Sequence, residues 1–296
     1  MLGAIIGDIA GTKYEYQEFL DSRKGIVNLE RRRSILDKEH VPLMNEKSFV
    51  SDDSILTIAV AEAIIYQADY GEILKKYGRQ YGNKPLERKG FFKNAFSPVF
   101  IKWANLETAE TGNSQGNGAA MRVSPVAYLF DDLEKVKLEA KKTAIPSHNS
   151  EQAIKGAQCL ASTIFLARQK KSKNEIKQYV VENFGYDLEY SLEKLQESNT
   201  FEGSCEITVP QAIFVFLEAD GFEDSIRKAI SIGGDTDTIA CMVGSISEAY
   251  YGIPKELRQK ALAVLPEELK KVLIEAYKLK KKNQEKNTDS FEILDR

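Results

Sequence analysis

The sequence predicts an all-α protein. Three observations support this: apolar residues recur at helical spacing in one segment after another, strand signals are scarce, and no linker separates autonomous domains. With 296 residues, of which 43% are apolar, the chain can bury a sizeable core. We therefore expect a single domain over residues 1–280, followed by a charged, flexible tail over residues 281–296.

The first predicted helix covers residues 2–11 and carries Gly3, Gly7 and Gly11 on one face. Small residues at this spacing allow a neighbouring helix to approach closely, so we expect the stripe to serve helix packing. Residues 13–50 are irregular and rich in charge, and we predict a loop with short helical pieces there.

The next helix, over residues 52–68, is strongly apolar, and Ser51 or Asp52 is expected to cap it. Residues 109–118 are rich in glycine and asparagine and predict a loop, whereas the polar residues 185–207 predict a surface excursion. Further helices are predicted over residues 71–82, 99–106, 119–130, 132–143, 149–169, 173–182, 209–219, 222–231, 236–251 and 255–279.

The composition argues against several classes of function. With a net charge of −3, the chain lacks the excess of basic residues typical of proteins that bind nucleic acid or an anionic membrane. The three cysteines form no CxxC pair, which disfavours a disulfide framework or a zinc ribbon and suits a reducing, cytoplasmic setting. Only two histidines are present, which argues against a histidine-rich metal site. No apolar run is long enough for a membrane span, so no membrane association is expected.

Two acidic clusters stand at the predicted starts of apolar helices. The first is Ser51-Asp52-Asp53-Ser54, and the second is Asp235-Thr236-Asp237-Thr238, which follows a Gly-Gly pair. Each cluster supplies carboxylates and hydroxyls, the hard oxygen ligands of Mg²⁺ or Ca²⁺. If the fold brings the clusters together, their charges repel unless cations or protons intervene. The alternative for each cluster is helix capping and interaction with the helix dipole.

The second cluster shares its D-x-D-x-T pattern with two unrelated motifs. A haloacid-dehalogenase phosphatase places this pattern near the start of a Rossmann-like domain, but too little chain follows Asp235 for that fold. An EF-hand loop requires Gly at its sixth position and Glu at its twelfth, where this chain has Ala240 and Ile246. Neither motif explains the cluster.

Two further features could contact a ligand. The loop from Ser114 through Gly116, Asn117 and Gly118 precedes a helix, and its glycines allow the backbone to approach a ligand closely. His148 lies at the mouth of another helix. The alternatives are an ordinary Gly-Asn turn for the loop and a capping or core residue for the histidine.

Six motifs in a fixed order resemble one known family across essentially residues 2–275. They are GAIIGDIAGTKYE, SDDSILTIAVAEA, GNGAAMRVSPVA, SHNSEQAIKGA, VPQAI and GGDTDTIACMVGSISEAYYG. The chain is similar to the ADP-ribosylglycohydrolases, the group that includes dinitrogenase-reductase-activating glycohydrolase and the ADP-ribosyl-acceptor hydrolases. The resemblance implies a compact orthogonal multi-helix bundle with a central cleft for two Mg²⁺ ions, for which Mn²⁺ could substitute.

The resemblance also implies roles for individual residues. Metal ligands would be Ser51, Asp52, Asp53, Asp235, Asp237 and Thr238. Catalytic roles would fall to Glu15, Asp53 and Asp237, and substrate contacts to Ser114, Gly116, Asn117, Gly118 and His148. These residues would cleave the bond at C1″ of ribose and release ADP-ribose from an ADP-ribosylated protein or small molecule. We expect the protein to act as a monomer.

Two departures from the family pattern affect this expectation. Ser51 stands where Thr is usual, so we expect looser metal binding. Residues 94–100, NAFSPVF, replace a glycine-rich stretch whose backbone approaches the diphosphate, so substrate affinity or identity is expected to differ. Two alternative functions follow: a catalytically weak or silent protein that binds ADP-ribose, or an Mg²⁺ hydrolase acting on another nucleotide-type substrate.

Overall fold

The computed structural model describes residues 1–82, 96–108 and 110–294, with side chains described as far as residue 283. Within these ranges the regular elements are helices, apart from isolated bridges between Asn113 and His148 and between Gly116 and Ser204. This confirms the predicted all-α class. The helices are α1 (Leu2–Arg23), α2 (Leu29–Ser34), α3 (Asp52–Tyr66), α4 (Tyr70–Gly82), α5 (Pro98–Ala104), α6 (Gly118–Met121), α7 (Ser124–Leu129), α8 (Leu133–Ala144), α9 (Glu151–Arg168), α10 (Lys173–Phe184), α11 (Leu192–Ser198), α12 (Cys205–Glu218), α13 (Phe222–Ser231), α14 (Thr236–Tyr251), α15 (Lys255–Val264) and α16 (Glu267–Leu294).

Helices α1 and α14 pack against each other through the glycine stripe. A methyl group on Gly3 would lie 2.2 Å from the carbonyl oxygen of Gly244, and one on Gly7 would lie 1.9 Å from that of Ala240. On Gly11 it would meet the Cα of Asp237 at 2.4 Å. The stripe therefore serves helix packing, as predicted, and fixes the position of α1 along the start of α14.

The core is one continuous cluster of apolar side chains. Ile5 of α1, Ile58 of α3, Leu160 of α9 and Phe216 of α12 are all fully buried there. Burying a large apolar side chain contributes about 1.5–3 kcal/mol, so this cluster supplies the main force that holds the helices together.

The first helix is longer than predicted. It continues from the glycine stripe to Arg23, through residues that the charge pattern assigned to a loop. The reason lies in tertiary contacts: Glu18 accepts a hydrogen bond of 2.6 Å from each of Arg31 and Arg32, and Asp21 accepts one from Arg31 at 2.8 Å. Buried carboxylates are stable in a helix when such partners satisfy them.

Other boundaries also differ from prediction. The segment predicted as one helix over residues 119–130 forms α6 and α7, with Pro125 in the first turn of α7, where the missing amide costs no hydrogen bond. The predicted excursion over residues 185–207 contains α11 and the start of α12. Helix α16 continues to Leu294, and the division between a domain and a flexible tail remains a prediction. Within the described part of the chain, no helix has both the length and the apolar character needed to cross a membrane.

Candidate active site

The two acidic clusters meet where α3 and α14 begin. The hydroxyl of Thr238 donates a hydrogen bond of 3.2 Å to Oδ2 of Asp53, which joins the start of α14 to the start of α3. The close packing of α1 on α14 also brings Asp8 beside them. Clusters that lie far apart in sequence thus form one buried group.

Capping explains one cluster better than the other. The Ser51 hydroxyl accepts a hydrogen bond of 3.2 Å from the amide of Asp53 and so caps α3, as predicted. Asp235 stands at the N-cap of α14, but its side chain makes no capping hydrogen bond. Its Oδ2 accepts a hydrogen bond of 2.8 Å from Asn117 Nδ2 instead. Capping therefore does not account for the carboxylate of Asp235.

Asp8 is a member of this site that sequence reasoning did not identify. Its Oδ1 accepts a hydrogen bond of 2.7 Å from the Ser51 hydroxyl, and its Oδ2 accepts from the amides of Ser51 and Ser54 at 3.1 and 3.2 Å. The Ser54 hydroxyl also donates to Oδ2. The available signal was a single aspartate within an apolar segment, which is costly to bury without partners.

Asp8 also sets the direction of the Ser51 hydroxyl. The Ser51 hydroxyl oxygen lies 2.7 Å from Oδ1 of Asp8 and 3.3 Å from Oδ2 of Asp53. A hydroxyl has one proton and two lone pairs, and Ser51 gives its proton to the nearer oxygen, that of Asp8. The oxygen therefore presents lone pairs elsewhere, one of them to the amide of Asp53. The predicted metal ligand Ser51 is thus held as an acceptor.

The charges in this group are poorly compensated by the protein. Oδ1 of Asp53 is buried and has no hydrogen-bond partner among the described residues. Burial raises the pKa of Asp53 well above its usual value, and the neighbouring charges of Asp52, Asp8 and Asp235 raise it further. Burial likewise raises the pKa of Asp8 to about 6, against the lowering effect of its hydrogen bonds. Such a group favours bound cations or protons.

The donor set fits divalent metal ions. Oxygens of Asp8, Asp53 and Asp237 lie within 4.8 Å of one another, and so do oxygens of Glu15, Asp235 and Asp237. Asp237 belongs to both groups, which places it between two positions that could each hold an ion. The ligand atoms are carboxylate and hydroxyl oxygens, which suit hard cations such as Mg²⁺.

The turn before the second cluster depends on two glycines. Gly233 and Gly234 have φ values of +71° and +78°, a region that other residues rarely adopt. The buried guanidinium of Arg32 packs against this turn, and a methyl group on Gly233 would lie 2.1 Å from its Cζ. An ion pair of 2.6 Å with Glu18 holds Arg32 in place. Together these contacts position Asp235 at the mouth of α14.

A cavity of about 780 Å³ opens above the acidic group. One side of it is formed by the loop over residues 114–118, which is held by the segment over residues 203–205, where α12 begins. The amide of Asn117 donates to the carbonyl of Gly203 at 2.8 Å, and that of Cys205 donates to the carbonyl of Gln115 at 3.1 Å. Sequence reasoning treated that segment as surface. Every predicted site residue except Ser51 lines the cavity: Glu15, Asp52, Asp53, Ser114, Gly116, Asn117, Gly118, His148, Asp235, Asp237 and Thr238.

Part of the atypical segment over residues 94–100 also borders this cavity. Asn94 and Ala95 lie outside the described residues, whereas Phe96 to Phe100 line one wall. Ser97 caps α5 by accepting a hydrogen bond from the amide of Phe100 at 3.2 Å. Phe96 stacks on Phe100 with ring centroids 5.3 Å apart. This wall of the cavity therefore consists of two stacked aromatic rings and the N-terminus of α5.

The sequence matches the ADP-ribosylglycohydrolase family over residues 1–286. The chain belongs to this family. The match confirms the predicted family and supports a glycohydrolase activity for this protein.

The chain is similar, at low identity, to two ADP-ribosyl hydrolases and to one solved structure. ADP-ribosylhydrolase ARH3 of Homo sapiens is 24% identical over 310 residues, covering 86% of this chain and 84% of that protein. ADP-ribosylarginine hydrolase Tri1 of Pseudomonas putida (strain GB-1) is 24% identical over 279 residues, covering 86% and 70%. A solved structure described as an ADP-ribosylglycohydrolase-related protein complex superposes with a TM-score of 0.65 at 21% identity, covering 94% of this chain and 95% of that one, which shows a shared fold.

Proposed function

We propose that this ADP-ribosylglycohydrolase cleaves the bond between C1″ of ribose and an acceptor atom, releasing ADP-ribose, with two Mg²⁺ ions in its cleft. The observation that carries the proposal is the convergence of both acidic clusters, the glycine loop and His148 on one cavity. Helix capping or core packing would not require these elements to share a cavity.

The proposed ligand set divides into two parts that share Asp237. Asp53 and Asp237 would hold one ion, together with Ser51, Asp52 and Thr238 around it. Glu15, Asp235 and Asp237 would hold the other. Bound there, Mg²⁺, or Mn²⁺ in its place, would supply Lewis-acid chemistry that orients the ribose hydroxyls and lowers the pKa of a water molecule.

The protein's own carboxylates would carry the proton chemistry. Hydrolysis at C1″ passes through a transition state with positive charge on the ribose ring, which nearby carboxylates stabilise. Glu15, Asp53 and Asp237 face the cavity, and one of them would accept the proton of the attacking water. The leaving nitrogen or oxygen then takes up a proton.

The loop and the histidine would hold the remainder of the substrate. Gly116 and Gly118 allow the backbone to approach ADP-ribose, Asn117 ties the loop to Asp235, and Ser114 lies in the same loop.

The expected cytoplasmic location and monomeric state stay predictions. The three cysteines are free and buried.

Release of ADP-ribose from defined substrates tests the proposal. The purified protein is incubated with Mg²⁺ and peptides carrying ADP-ribose on arginine or on serine, and free ADP-ribose is quantified. The name of one relative, an ADP-ribosylarginine hydrolase, motivates the arginine arm. We expect release from at least one peptide, with loss of release in EDTA and in an Asp237→Asn variant.

A distant carboxylate provides the matched control. Glu139 lies outside the cleft, where it accepts hydrogen bonds from Tyr70 and Lys142, so Glu139→Gln is expected to retain activity. No release from either peptide, combined with tight binding of ADP-ribose, would instead support the silent binding protein. Release of phosphate or base from nucleotides alone would support a different hydrolase.

A further inference from the structure

A buried arginine, Arg122, is among the residues that line the cavity. Arg122 is fully buried, and its Nη2 donates hydrogen bonds of 2.8 Å to the carbonyl of Thr143 and to the hydroxyl of Ser147. Its Nε and Nη1 have no hydrogen-bond partner among the described residues. Burying a guanidinium with part of its donors unsatisfied is costly, so its position calls for a functional explanation.

The Ser147 hydroxyl links this arginine to His148. Its oxygen lies 2.7 Å from Nδ1 of His148 and 2.8 Å from Nη2 of Arg122. A guanidinium can only donate, so the Ser147 oxygen must be the acceptor in its contact with Arg122. The single proton of the hydroxyl then has one remaining partner in the described part of the chain, Nδ1 of His148.

This hydrogen-bond count determines the tautomer of the imidazole. Nδ1 accepts the proton of Ser147, so the ring proton of a neutral His148 resides on Nε2. Burial lowers the pKa of His148 well below its usual value, and the charge of Arg122 lowers it further, which keeps the ring neutral. With the opposite tautomer, the Ser147 oxygen would accept from both Arg122 and His148, and its own proton would have no partner among the described residues.

Nε2 points towards the glycine loop. A methyl group on Gly118 would lie 2.8 Å from Nε2, and one on Gly116 would lie 3.6 Å from it. The ring is therefore packed against the loop that lines the cavity, and His148 itself is part of that lining. Nε2, the ring nitrogen on the side of this loop, is the one that carries the proton.

We propose that Arg122 and Ser147 are positioning residues that hold His148 as the Nε2–H tautomer, so that the cavity offers a fixed donor to an acceptor oxygen of the ligand. The acceptor would be a phosphate or sugar oxygen, and this part rests on the proposed function. In this arrangement His148 orients the ligand and takes no proton from it.

The tautomer is measurable without any ligand. Long-range ¹H–¹⁵N correlation spectra of uniformly ¹⁵N-labelled protein separate protonated from unprotonated ring nitrogens. The chain has only two histidines, and His40 is exposed and paired with Asp37, so it serves as an internal reference. We expect an unprotonated Nδ1 and a protonated Nε2 for His148 at neutral pH.

Variants at Ser147 test the hydrogen-bond chain that runs from Arg122 through Ser147 to His148. Ser147→Ala removes the donor to Nδ1, and we expect a mixture of tautomers together with ADP-ribose binding that is about two- to ten-fold weaker by calorimetry, the range of one neutral hydrogen bond. Ser147→Thr keeps the hydroxyl and should restore both signals. Ser162→Ala removes a buried hydroxyl that has no partner in the described ranges and should change neither.

The outcomes separate the two proposals. An Nδ1–H tautomer in the wild type, or a Ser147→Ala spectrum that matches the wild type, would overturn the positioning role of Arg122 and Ser147. The protein could instead show a fixed Nε2–H tautomer that depends on Ser147 but fail to bind ADP-ribose. That result would support the positioning role and contradict the proposed function.

Discussion

Nδ2 of Asn117 donates a hydrogen bond of 2.8 Å to Oδ2 of Asp235, across 118 positions of the chain. This contact joins the loop expected to bind substrate to the cluster expected to bind metal. The two parts of the site therefore depend on each other, because a shift in the loop changes the environment of a ligand carboxylate.

Replacing a cluster carboxylate should stabilise the metal-free protein. Asp53→Asn replaces a buried carboxyl group, whose pKa is raised by burial and by three neighbouring aspartates, with a neutral amide. We expect a higher melting temperature in EDTA, where about 1 kcal/mol corresponds to roughly 2–4 °C for domains of 150–250 residues. Stabilisation by Mg²⁺ and hydrolase activity should both be lost. For Glu139→Gln we expect a lower melting temperature in EDTA, because hydrogen bonds from lysines lower the pKa of Glu139. A lower melting temperature for Asp53→Asn would indicate a structural role for its charge.

Asp8 should control metal affinity although it need not touch the substrate. Asp8→Asn replaces one acceptor oxygen by an NH₂ group, which cannot accept from Ser51 or Ser54. Residues that orient metal ligands typically change affinity about 10- to 100-fold, and we expect a loss in this range for Mg²⁺ by calorimetry. Unchanged affinity would show that Ser51 needs no such support.

The stability of the metal-free protein should depend on pH through Asp8. Its pKa is about 6 in the folded protein and about 4 in an unfolded chain, so the folded state holds this proton more tightly. The carboxyl therefore contributes stability that is full below about pH 4 and is lost as the pH rises through about 6. The melting temperature of the wild type relative to Asp8→Asn, measured in EDTA, should fall across this window. A rising or flat difference would contradict the raised pKa.

A methyl group in the glycine loop should displace the histidine. Gly118→Ala would place its methyl carbon 2.8 Å from Nε2 and 3.0 Å from Cε1 of His148, closer than packed atoms allow. We expect weaker ADP-ribose binding, by about ten-fold if one charge-assisted hydrogen bond is lost. Gly221→Ala is the control, because nothing lies within 4 Å of the added methyl group. Equal binding by both variants would place the ligand away from His148.

The local features of the fold were predictable from the sequence. Apolar periodicity gave the all-α class, and a capping serine gave the start of α3 at Ser51. The spacing of Gly3, Gly7 and Gly11 predicted close packing, although not that α14 is the partner. These signals were sufficient because each depends on residues within one or two helical turns.

The features that were missed depend on distant partners. Asp8 resembled an interruption of an apolar segment until the serines of α3 were placed beside it. The second half of α1 resembled a loop because the arginines that pair with Glu18 and Asp21 lie beyond it. The link between Asn117 and Gly203 joins two polar segments that carry no complementary pattern. The roles of the individual site residues remain predictions.

The glycine stripe has a consequence for the order in which the protein is made. The glycine face of α1 stays uncovered until α14, which is synthesised much later than α1, can pack on it. Until residues 236–251 have left the ribosome, Asp8 and Asp53 lack their partner aspartates, and the nascent chain has no complete place for a divalent ion. At the site proposed above, metal binding would thus come only after α14 has been made, as a late step that stabilises only the correctly assembled form.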